Sequence, residues 1–171
     1  MNLLGLLLLG LILLVVQTTV FRFLGLSALR APLLVPLVLF GAFRMDSIRA
    51  LVLSFFLGYA SDVYSGGTQG IGPLVMLLLC LAAQWMRRGL MLRSPLALGF
   101  MAGPFCLLQG LLMMGIGAMV EGSIWLEDFE PSRLLVQAVV LSFSGPILVI
   151  LCDLASRWLG GGWPRRPGAR V

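Results

Sequence analysis

Residues 55–79 read FFLGYASDVYSGGTQGIGPLVMLLL, apolar at both ends, with one acid, Asp62, and five glycines between. A greasy run that stops for a short, flexible, almost uncharged turn and resumes behind a proline takes its meaning from the solvent around it. Composition identifies that solvent. The chain has 171 residues, of which 60% are hydrophobic and 11% charged. The surface of a soluble domain uses roughly a quarter charged residues, far more than this chain has. A lipid bilayer is the environment that suits it.

The same counts remove whole classes of chemistry. All twelve basic residues are arginine, and there is no histidine. Without histidine the usual general base and metal ligand is missing. Without lysine, GGTQGIG cannot be a phosphate-binding GxxxxGK loop, so ATP hydrolysis is not expected. Cys80, Cys106 and Cys152 sit in three different apolar runs; their spacing fits no zinc pattern, and they read as small buried hydrophobes. No cofactor and no nucleic-acid partner is expected.

Six apolar segments follow: Leu3–Phe21, Ala31–Phe43, Ile48–Tyr64, Pro73–Met86, Pro95–Val120 and Leu134–Trp158. A hydrocarbon core about 30 Å thick takes about 20 helical residues. The second and fourth segments are short, so they extend into flanking residues or sit where the bilayer thins; a re-entrant hairpin of segments two and three is the alternative. The first lacks a basic leader and its apolar run is too long for a signal peptide, so it reads as a retained anchor. The fold expected is thus an all-α integral membrane protein. Residues 1–158 form one bundle of six transmembrane helices, and residues 159–171 a disordered basic tail.

Charge orients the bundle. With six spans, one side collects Arg44, Arg49, Arg87, Arg88, Arg93, Arg157, Arg165, Arg166 and Arg170; the other has Arg22, Arg30 and Arg133. The excess of arginine marks the cytoplasmic side, which places both termini there. Asp62, Glu121, Glu127, Asp128 and Glu130 fall outside. In EGSIWLEDFEPSR (121–133), Trp125 and Phe129 among acids suit a short helix on the membrane surface. The arginines of the tail suit anionic lipid headgroups. Neither loop nor tail is large enough to house an enzyme, so function is sought in the helices and their rims.

Polar residues inside the spans are few: Gln17, Thr18, Thr19, Gln84, Gln109, Gln137, Ser142, Ser144 and Asp153. The glutamines suit bonds between helices. Asp153 lies four residues before Arg157, a spacing that pairs them on one helix face. No two carboxylates converge by spacing. In the fifth segment Gly99, Gly103, Cys106, Gly110 and Gly117 fall within about 60° of one another on a helix, a stripe of small residues from which Gly115 is excluded. Such a stripe lets another helix approach closely. It is either a seam within this bundle or a docking face for a partner's helix. Gly145–Pro146 predicts a kink in the sixth segment.

Asp62 falls near the outer end of the third span. It either binds backbone N–H groups of the following turn, or belongs to a rim that recognises something at the outer surface. Pro73 opens the fourth helix, where its missing N–H costs nothing.

Gly58, Asp62, Ser65, Gly66, Gly70 and Leu74 resemble the G…D…SG…G…L pattern of the rod-shape-determining MreD family. Gln17, Thr18 and Thr19 closing the first span, and Pro32 opening the second, are similar to it as well. Leu33 departs from the polar residue usual after that proline, and beyond about Leu79 the resemblance is one of architecture. It implies a non-enzymatic scaffold of the bacterial inner membrane, working with MreC, the MreB filament, the RodA glycosyltransferase and a class B penicillin-binding transpeptidase. On that reading Asp62, Gly66 and Gly70 face the periplasmic partner side, while Gly99, Gly103 and Gly110 are helix-contact positions. The family is similar in architecture to the substrate-binding components of energy-coupling-factor vitamin transporters, so such a subunit is the alternative. Those components often carry Ala-x-x-x-Ala in the first helix, and LLGLLLLGLILLVV (3–16) has no alanine. An intramembrane enzyme is the third reading, weakened by the missing histidine, lysine and acid pair.

Overall fold

Helix formation follows the apolar runs almost residue for residue. A computed structural model describes residues 3–23, 33–65, 70–89, 95–121 and 131–158, and these are helical apart from short turns. The helices are α1 (Leu3–Phe23), α2 (Leu34–Arg44), α3 (Ser47–Ser65), α4 (Ile71–Gly89), α5 (Pro95–Phe100), α6 (Ala102–Glu121) and α7 (Pro131–Trp158). The loop at 122–130, the tail at 159–171 and Gly66 lie outside the described residues.

Among the boundaries that differ from expectation, two involve a proline. The fifth segment is not one helix. It breaks at Met101, because Pro104 has no N–H to give the Phe100 carbonyl and its ring crowds that carbonyl. The bonds that bridge the break, Met101 N–H to Ala97 O and Phe105 N–H to Met101 O, are both 3.2 Å. Pro73 does not open α4, which starts at Ile71. It still lies in the first turn, where an N–H has no intrahelical partner to lose. Pro36 is tolerated near the start of α2 for the same reason.

The shortest of the long segments is the centre of the molecule. Every residue of α2 from Leu34 to Ala42 is buried, and α2 touches each of the other helices. Its 11 residues rise about 16 Å, roughly half a hydrocarbon core. Arg44 ends it, and Met45 and Asp46 turn the chain directly into α3. Around this hub, α1 lies against α2 and α3, α3 pairs with α4, and α5 and α6 pack along α7. Gly10 brings α1 close, since a Cβ there would meet the side chains of Leu57 and Leu37.

Apolar side chains face outward as well as inward. Leu8 and Ile12 on α1, Phe56 on α3, Leu81 on α4, Leu111 on α6 and Phe143 on α7 are exposed, while Ser54, Asp62, Gln109 and Asp153 are buried. Among the described residues, two apolar stretches are long enough to cross a membrane: Leu96–Val120, with 25 residues, and Leu134–Leu154, with 21. Only 33% and 28% of their most apolar windows are buried, whereas the core helix of a soluble protein would be mostly covered.

Candidate functional site

The opening stretch folds into a hairpin closed by its acid. Asp62, near the end of α3, is 6% exposed. Its Oδ2 accepts the backbone N–H of Gly70 at 2.8 Å and of Gly72 at 3.0 Å. These N–H groups stand at the start of α4, where donors have no intrahelical partner. The carboxylate also lies where the helix dipole favours negative charge. Asp62 is therefore a cap for α4 supplied from α3, and its binding of turn N–H groups agrees with the first reading of that residue.

Glycine makes this approach feasible. Gly70 has φ +110°, in the left-handed region, with open space around it. A Cβ on Gly72 would run into the Asp62 carboxylate, and one on Gly58 would come within 2.6 Å of the Pro73 Cα. Gly58, Asp62 and Gly70 of the sequence pattern are thus brought together. Gly72, which sequence reading did not single out, completes the group; its place just before Pro73 and opposite Gly58 was the available signal. Leu74 points outward, as do Tyr59, Val63 and Tyr64 beside the turn.

The glycine stripe is filled from within the chain. A Cβ on Gly99 would overlap the Pro146 backbone, and one on Gly145 would overlap the Gly99 carbonyl oxygen. On Gly103 it would meet the Ser142 hydroxyl, and on Gly110 the Leu134 side chain at 2.5 Å. Of the two readings of the stripe, the contacts at these positions are those of a seam with α7. Gly115 has nothing within 4 Å, as its place off the stripe predicts.

A second polar group sits at the other end of α3. Arg44 Nη2 donates to Asp153 Oδ1 of α7 at 2.6 Å, and the Arg44 guanidinium lies 5.2 Å from the centre of the Phe40 ring. Arg87 Nη1 donates to the carbonyls of Ala42 and Met45, each at 3.1 Å, and so caps the C-terminus of α2. Gln84 Nε2 donates to the Ser47 carbonyl at 3.2 Å, tying α4 to α3 as glutamines in membranes tend to do. The i,i+4 expectation for Asp153 missed Arg44, which lies 109 residues away in sequence; the Arg157 side chain is not among those described.

Cys80, Cys106 and Cys152 are all buried and free, as expected of small core residues. Gln109 Oε1 and Ser144 Oγ are buried without a hydrogen-bond partner among the described residues. The site's chemistry is that of packing and hydrogen bonding between helices. No protein-family model, curated protein or solved structure matches this chain.

Proposed function

We propose that this chain is a six-span scaffold of the bacterial inner membrane that holds an MreC-type partner and adjusts its contact with the cell-wall synthase, without catalysing a reaction itself. The observation that supports this reading best is the Asp62 turn. The residues that carry the MreD resemblance, Gly58, Asp62 and Gly70, are the ones that build a single closed hairpin. The outward apolar belt on every helix but α2 supports a membrane-embedded bundle. The division of arginines, nine against three, supports cytoplasmic termini. The Arg44, Arg49 and Arg87 end of α3 then lies inside and the Asp62 turn in the periplasm.

Burial refines the part each residue plays. Asp62 shapes the periplasmic rim from beneath, with Gly70 in its turn and Tyr59, Val63 and Tyr64 the surface next to it. Gly99, Gly103 and Gly110 hold α7 in place. RodA, the class B transpeptidase and the MreB filament are met through the assembled complex, and the basic tail meets anionic lipid.

Co-purification in mild detergent tests the proposal. The protein is offered an MreC-type protein and, in parallel, the membrane-and-ATPase module of an energy-coupling-factor transporter. Stoichiometric capture of the MreC-type protein is expected. Capture of the transporter module alone would replace the scaffold by a vitamin-transporter subunit.

A further inference from the structure

Pro104 and Pro146 weaken two helices at the level where their backbones meet. The first breaks the fifth segment at Met101. The second lies inside α7 and leaves the Ser142 carbonyl without its N–H donor. Between them, Gly99 and Gly145–Pro146 bring the two backbones into contact. The hydrogen bonding around this crossing is not closed. Ser142 turns its hydroxyl back to the Ala138 carbonyl at 2.9 Å, a bond that bends helices, and Ser144 Oγ is buried with no partner among the described residues. One unmet hydroxyl and the backbone bonds removed by two prolines leave fewer bonds to break when this joint bends than at an ordinary helix crossing.

What hangs on each side of the joint is unequal. Although α5 continues into α6, it packs chiefly along α7. Beyond Pro146, α7 buries Val149, Cys152 and Asp153, and Asp153 is fastened to Arg44 at the end of the central helix.

We propose that the crossing of Gly99 with Gly145–Pro146 is a hinge, that α5 together with residues 147–158 of α7 is the arm it carries, and that the Arg44–Asp153 ion pair is the latch holding the arm to the α2 hub. This rests on the helices' own geometry and is independent of which partner the protein binds. The arm of α7 is about 18 Å long at 1.5 Å per residue. A bend of about 20° at the joint moves its tip by about 6 Å.

The test uses the full chain in lipid nanodiscs, with Cys80, Cys106 and Cys152 replaced by alanine. Nitroxides are placed on cysteines introduced at exposed Leu81 of α4, which packs on the hub, and exposed Leu154 of the arm, and their separation is read by pulsed electron resonance. Leu154 lies about 12 Å beyond the joint, so Arg44→Gln is expected to shift or split the distance distribution by about 4 Å. Adding Pro104→Ala and Pro146→Ala, which restore both backbone bonds, should return it to the starting distribution. An unchanged distribution in folded Arg44→Gln overturns the latch. A shift that survives replacement of both prolines overturns the hinge. If Arg44→Gln does not fold, Asp153→Asn is read by the same criteria.

Discussion

The hairpin of α3 and α4 and the crossing of α5–α6 with α7 both depend on glycine, and they use it to opposite ends. In the hairpin, Gly58 and Gly72 bring two backbones together so that Asp62 can satisfy two otherwise orphaned N–H groups. At the crossing, Gly99 and Gly145 bring two backbones together beside prolines that remove hydrogen bonds. Proximity alone does not make a helix contact rigid. The balance of satisfied and unsatisfied polar groups at the contact decides it, above all where no water can substitute.

The largest expected effect breaks the crossing. Gly99→Ala places a methyl group against the Pro146 backbone, which cannot rotate away as a side chain can. Overpacking of this kind costs about 3 kcal/mol, the upper end of the usual range. Unfolding in mixed micelles should show that loss, and a loss below about 1 kcal/mol would mean that the two helices separate freely at this level.

The hairpin answers next. Asp62→Ala leaves the N–H groups of Gly70 and Gly72 without their acceptor. Bonds to a charged group contribute about 1.5–3 kcal/mol, so a loss of about 2 kcal/mol is expected, with Asp62→Asn keeping part of it. If alanine there changes partner capture but not stability, Asp62 acts on the partner and not on the turn.

Much of this was legible in the chain because local rules governed it. Apolar runs gave the helices to within a few residues, and an acid that binds N–H groups of the turn after it follows from short-range chemistry. The break at Met101 was missed although Pro104 stood in plain view, since a stripe at helical spacing reads as unbroken when only small residues are counted. The Arg44–Asp153 pair was illegible for another reason. Its partners are 109 residues apart, so only the packing of α7 on α2 joins them, whereas Arg157 offered itself at the familiar i,i+4 distance. The central position of α2 was hidden too. Its length marked it as odd, but a helix apolar all round does not say how many neighbours will surround it.

The smallest effect separates glycines that serve a contact from one that does not. Gly110 faces the end of a flexible side chain, Leu134, which can give way. Gly110→Ala should therefore cost about 1 kcal/mol, the low end for overpacking. Gly115 sits in the same helix, off the stripe, with nothing within 4 Å. Alanine there meets no neighbour and gains up to about 1 kcal/mol of helix propensity. The two substitutions are chemically identical and five residues apart in sequence, so the sign of their difference isolates the seam with α7 from anything intrinsic to α6. Equal effects in a mixed-micelle unfolding series would mean that the stripe does not bear on α7 at this depth, and the rigid and deformable contacts would then have to be redrawn around the hairpin alone.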